Sequence, residues 1–177
     1  IKDGCFTLMR FYERRILRIL PALFTVAVAS AVLGWLTLLP SDFAYFGETL
    51  SATAAFSSNI LFWMKSGYFA PDSNYIPLLH TWSLSVEEQF YIFFPFILML
   101  LATAQTKTRV VVITTIFFLS FIASICLLTD HKSFTFYMIL TRAWELMAGA
   151  LVALIPLREL KDRRLMEAVS FLGILLI

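Results

Sequence analysis

Three stretches of this 177-residue chain carry no charged side chain over the length a helix needs to cross a bilayer. Residues 20–39 and 110–129 run uncharged for 20 residues each, and 89–106 for 18. A hydrocarbon core of about 30 Å calls for roughly 20 helical residues. Peptide groups in lipid have no water to bond, so such stretches must be helices that satisfy their own backbone. With 60% hydrophobic and 15% charged residues and a mean hydropathy of +0.83, the chain is too apolar for an ordinary soluble domain. The expected fold is all-α, a multi-pass transmembrane helix bundle with spans at about 19–39, 84–105, 110–129, 134–157 and 167–177. The last is too short to cross as it stands. Because the sequence also opens at Ile1 with no Met or signal pattern, it reads as an interior piece of a longer membrane domain.

Lys and Arg favour the cytoplasmic ends of spans, which makes the sixth hydrophobic segment, 49–64, decisive. If it crosses, seven basic residues fall on one side and six on the other. If it doubles back, eleven share one side and only Lys65 and Lys132 face the other. Residues 40–82 are therefore expected to form an extracytoplasmic excursion holding a re-entrant or interfacial helix, a course tolerated where protein or a water cavity surrounds the backbone.

Three polar constellations stand out. Arg14, Arg15 and Arg18 open the first span. One helical turn separates Arg14 from Arg18, so the group can grip phosphates at the cytoplasmic surface or simply anchor the helix to anionic lipid. In HTWSLSVEEQFY (80–91), helical spacing lines up His80, Ser83, Glu87 and Tyr91, with Trp82 nearby and Glu88 alongside. The carboxylates would lie roughly 5–8 Å inside the extracytoplasmic boundary, either facing a cavity or sitting in a first turn capped by Ser83 or Ser85. Arg142 and Glu145 share a face three residues apart. An arginine at that depth needs a partner, for which Glu145, Glu87 and Glu88 are the candidates, and the pair can equally be a purely structural ion pair. His131 reads as a loop residue. Cys5 and Cys126 are the only cysteines, which argues against a disulfide framework or a cysteine metal site. No metal ligand set or nucleic-acid-binding pattern is present.

FYERRILRILPAL, LLHTWSLSVEEQFYIFFP and TRAWELMAGALVAL resemble, in order and spacing, the corresponding segments of acyltransferase family 3, a family of multi-pass bacterial membrane enzymes typified by lipopolysaccharide O-antigen acetylases. The resemblance implies transfer of an acyl group, commonly acetyl from cytoplasmic acetyl-CoA, to a hydroxyl of a surface carbohydrate or lipid-linked glycan. The donor is a substrate, and no bound cofactor is implied. It implies a bacterial inner-membrane location, with membrane lipid as surroundings and no nucleic-acid partner. Arg14, Arg15 and Arg18 would hold the donor's phosphates. His80, Trp82, Ser83, Glu87, Glu88, Tyr91, Arg142 and Glu145 would shape the acceptor side or the cavity. The family's proposed base is a histidine eleven residues after an arginine in a preceding span, and no arginine here has a histidine at that distance. The piece by itself is thus expected to be inactive. The competing reading is a transporter or polysaccharide-export component whose intramembrane charges line a pathway.

Overall fold

The computed structural model describes residues 8–67 and 76–154. These form seven helices: α1 Leu8–Thr37, α2 Pro40–Ala54, α3 Ser58–Lys65, α4 Thr81–Leu100, α5 Thr106–Leu127, α6 Lys132–Tyr137 and α7 Ile139–Leu154. Four stretches are long and apolar enough to cross a membrane: α1, α4, α5, and α6 with α7 taken together. The protein is a multi-pass membrane bundle. The 167–177 span lies outside the described residues.

The outer surface is built for lipid. Leu17, Phe24, Val32, Leu33, Trp35 and Leu36 of α1 all point outward, as do Leu119 and Ile122 of α5. Among the described residues, nine buried polar residues accompany seven buried hydrophobic ones. Lipid tails are as apolar as leucine, so helix association rests on close packing and hydrogen bonds between helices. A small apolar core joins Phe90, Ile113 and Met147 at the meeting of α4, α5 and α7. The Ser120 hydroxyl ties α5 to α7, donating to the Leu140 carbonyl (2.7 Å) and accepting from the Trp144 N–H (3.1 Å). Those are the two groups that an unbroken helix pairs.

Segment 49–64 is not one helix. α2 and α3 are joined by a turn at Ala55–Ser57 in which Phe56 has φ 50°, a left-handed conformation uncommon for a bulky residue. The chain reverses there, and Lys65 comes back level with Glu48, their charged atoms 2.6 Å apart. At the other end of this hairpin, its turn docks on α4. Thr53 and Thr81 share a hydrogen bond of 2.9 Å, and Ser58 and Ser85 one of 2.7 Å. Ser85 and Ser83 therefore do not cap α4. Ser83 bonds the His80 carbonyl, and the helix starts at Thr81 with no side-chain cap.

The expected continuous span 134–157 is broken at Met138, which is extended (φ −89°, ψ 139°) and separates α6 from α7. The carbonyls left without helical partners are taken up by side chains. The Thr141 hydroxyl bonds the carbonyl of Thr135 (2.9 Å), Arg142 that of Phe136 (3.2 Å), and Asn59 that of Tyr137 (3.1 Å); the Met138 carbonyl is met by both the Thr141 N–H (3.3 Å) and its hydroxyl (2.9 Å). Asn59 is wholly buried. It also forms a reciprocal amide pair with Gln89, whose Nε2 donates both to Asn59 Oδ1 and to the Phe56 carbonyl at 2.9 Å. One pair thus holds the hairpin turn, α4 and the α6–α7 break together.

Two outcomes test this architecture. Single cysteines replacing Ser66 and Ser133 should react with a membrane-impermeant thiol reagent from one side, and one replacing Lys107 from the other. Gln89→Leu, which strands the Asn59 amide and the Phe56 carbonyl, should destabilise the protein by about 1–2 kcal/mol in thermal unfolding in detergent.

Candidate active site

α1 and α4 meet along an antiparallel seam that starts from a proline. Pro95 has no N–H, so the Tyr91 carbonyl four residues earlier loses its helical partner. The Tyr12 hydroxyl of α1 reaches it, lying 3.3 Å from the carbonyls of both Tyr91 and Ile92. One turn further along α1, Arg15 sits beside Glu88 at 3.7 Å, its guanidinium carbon 2.9 Å from the Tyr91 ring centre and 5.1 Å from that of Phe11. The next turn brings Arg18 to a groove of about 410 Å³ shared with His80, Ser83 and Glu87.

This seam corrects one expectation. The sequence reading puts the arginines at one membrane surface and the carboxylates near the opposite one, yet Arg15 and Glu88 lie level with each other. The hairpin explains it. α4 starts against the hairpin's turn, not at the end of the bundle, and α3's eight residues set that start back by about 12 Å. α1 in turn begins at Leu8, well ahead of its uncharged run. The seven positions from Thr81 to Glu88, about 10 Å of helix, carry the carboxylate deeper still.

The pair is close without being well bonded. The Arg15 and Glu88 side chains are 24% and 14% exposed, and neither Arg15 Nε nor Glu88 Oε1 has a hydrogen-bond partner. A salt bridge of this kind draws Coulombic attraction from a dry setting but leaves one donor and one acceptor unspent, each costly to strand. Tyr91 and Phe11 supply the rest of the cation's surroundings through their ring faces.

Each candidate residue has a definite place. Arg15, Glu88 and Tyr91 form the packed part of the seam, and Arg18, His80, Ser83 and Glu87 its open groove. Arg14 does not join them: its Nε bonds the Arg10 carbonyl and its side chain is exposed. Arg142 pairs with Glu145 at 2.9 Å, so Glu87 and Glu88 are not its partners. Its guanidinium also lies 5.0 Å from the Trp82 ring centre, and Trp82 itself packs on Phe136 and Tyr137. The candidates thus divide into a seam on one side of α4 and a cluster at the α6–α7 break on the other. His131 is exposed in the turn after α5. Among the described residues, no group of His, Cys, Asp and Glu side chains could hold a metal ion.

The sequence reading missed Tyr12, Asn59 and Gln89. The one available signal was an amide well inside a hydrophobic stretch, which needs an internal partner. Nothing local marks Tyr12, because its role depends on a proline 83 residues away.

Removing one member of the ion pair should cost more than removing both. Arg15→Leu leaves Glu88 unpaired and should lower the thermal midpoint in detergent, by the equivalent of about 3 kcal/mol. Adding Glu88→Leu should recover at least half of that loss. A double-mutant cycle with no coupling would mean that the two side chains do not interact.

Comparisons with known proteins place the chain in a family. Residues 5–177 match the family described as "Acyltransferase domain". An "Uncharacterized protein" of Haemophilus influenzae is 34% identical over 87% of this chain and 66% of its own length. "Putative membrane-bound transacylase BcsY" of Komagataeibacter xylinus is 37% identical over 84% of this chain and 38% of its own. "Putative peptidoglycan O-acetyltransferase YrhL" of Bacillus subtilis is 28% identical over 88% of this chain and 25% of its own. This chain therefore spans from a quarter to two thirds of the length of these relatives. No solved structure matches it. With the family matched over nearly all of its residues, on a bundle of membrane-spanning helices, the chain belongs to the acyltransferase 3 family.

Proposed function

We propose that this chain is part of a bacterial inner-membrane O-acyltransferase that moves an acetyl group from cytoplasmic acetyl-CoA to a hydroxyl of an extracytoplasmic carbohydrate. In that reaction the hydroxyl oxygen attacks the thioester carbonyl, the C–S bond breaks, the thiolate leaves, and the hydroxyl proton passes to a base. The observation that carries the reading is the shared seam. Cations fit for a phosphorylated thioester donor and polar groups fit for a hydroxylated acceptor lie along one pair of helices, and group transfer requires its two substrates to be adjacent.

Arg15 and Arg18 are assigned to the donor. Arg18 has no ion-pair partner among the described residues and lines the open groove, where its planar guanidinium suits a phosphate. Arg15 has an unspent Nε–H in a dry setting, where a donor aimed at a developing oxyanion is most effective. His80, Ser83 and Glu87 are assigned to the acceptor end of the groove. Glu88 and Tyr91 hold the Arg15 guanidinium in place. No residue of the seam is assigned as the base, because the resemblance gives that role to a histidine with no counterpart in this sequence. The relatives named "Putative membrane-bound transacylase BcsY" and "Putative peptidoglycan O-acetyltransferase YrhL" support the reaction class.

The test is binding of radiolabelled acetyl-CoA to the full-length protein in detergent. Wild type should bind saturably, and the Arg15→Ala, Arg18→Ala double variant at least tenfold more weakly. Absence of binding by wild type would remove the donor from this reading. Equal binding by both would place the donor away from the seam.

A further inference from the structure

On the far side of α4 from the seam, a cavity of about 530 Å³ opens between the C-terminal end of α5, the α6–α7 break and α7. Small-molecule sites run from roughly 300 to 1,000 Å³ and combine apolar walls with a few convergent polar groups. This cavity has that make-up. Phe136 and Trp144 contribute aromatic surface, and Lys132, Thr135, Arg142 and Glu145 the polar groups.

Those polar groups are only partly used by the protein. Arg142 spends one bond on the Phe136 carbonyl and one on Glu145, out of the five N–H donors that a guanidinium carries. Glu145 accepts through Oε1 alone, and its side chain is partly exposed. Thr135 is 6% exposed and its hydroxyl has no partner at all. A buried hydroxyl without a bond carries an unrecovered desolvation penalty, so its retention on a cavity wall calls for an explanation.

We propose that this cavity is a second binding site, which takes the hydroxylated ring of a sugar. The proposal rests on the preceding reading for carbohydrate as the ligand class, and on the cavity for its place. A sugar hydroxyl both donates and accepts, so it needs both kinds of partner side by side. The Arg142–Glu145 pair offers them, and Thr135 offers both in one group. The C–H faces of a ring suit the aromatic walls. An anionic headgroup suits the cavity less well. Glu145 already neutralises Arg142 and would itself repel a phosphate, which leaves Lys132 as the one uncompensated cation among the cavity-lining residues described. The location is also apt. Trp82 of α4 packs on Phe136 and Arg142, two residues of the cavity wall, while its neighbours His80 and Ser83 line the groove. A glycan held in the cavity lies one helix away from the proposed transfer site.

The test is a titration of the tryptophan fluorescence of the full-length protein, in a detergent without a sugar headgroup, with methyl β-D-glucopyranoside and with N-acetylglucosamine. Dihexanoylphosphatidylglycerol serves as the anionic-headgroup probe. At least one sugar should give a saturable change, and Thr135→Val and Glu145→Gln should each raise its Kd about tenfold, the equivalent of one lost hydrogen bond. Thr135→Val removes a buried hydroxyl with no protein partner, so its thermal midpoint should equal or exceed that of wild type, which keeps the binding comparison free of folding defects. No saturable response to either sugar, a response to the anionic lipid alone, or wild-type affinity in both variants would overturn the proposal. No acyl donor is present, so a failure of acetyl-CoA binding leaves this result standing on its own.

Discussion

A helix interrupted inside a bilayer exposes peptide groups that water cannot reach, and each must find a partner from the protein itself. Among the described residues, the backbone hydrogen bonding is broken or diverted at four places from which the seam and the α6–α7 cluster grow. Pro95 frees the Tyr91 carbonyl, and Tyr12 answers it from α1. The hairpin turn exposes the Phe56 carbonyl, which Gln89 takes. The break at Met138 is closed by Thr141, Arg142 and Asn59. The hydroxyl of Ser120 inserts between Leu140 and Trp144.

These repairs also decide where the charges stand. Tyr12 fixes the register of α1 against α4, and that register sets Arg15 opposite Glu88 and Arg18 opposite Glu87. Gln89 follows Glu88 in sequence, and successive helical residues point about 100° apart. The same turn of α4 therefore holds the hairpin with one side chain and the arginine with the next. At the α6–α7 break, Arg142 closes the end of α6 and presents its remaining donors to the cavity. A guanidinium can do both because its donors spread in a planar fork.

Polar residues inside such a bundle are expensive, and their cost explains their grouping. Asn59 and Gln89 spend their amides on each other and on two stray carbonyls, so neither side chain is stranded. The seam and the cavity are the exceptions. Arg15 Nε, Glu88 Oε1 and the Thr135 hydroxyl are the buried side-chain polar atoms without a partner among the described residues. They fall at the two places to which substrates are assigned here, as expected if binding sites are where a protein forgoes internal satisfaction.

The class of fold was legible in the sequence, since uncharged runs of about 20 residues admit few other structures. So was the Arg142–Glu145 pair, because i,i+3 spacing on a helix is a local matter. The family blocks pointed to the arginines and the HTWSLSVEEQFY stretch, and of these the structure brings Arg15 beside Glu88 and Tyr91, and Arg18 beside His80, Ser83 and Glu87. What the sequence left open was everything that depends on register between distant helices. It offered three carboxylates to Arg142 and none to Arg15, joined α6 and α7 into one span, and set the two halves of the seam on opposite sides of the bundle. Local spacing fixes which residues share a helical face. How deep a helix begins, and which neighbour its face meets, followed only once the hairpin and the stray carbonyl at Pro95 had taken their partners in three dimensions.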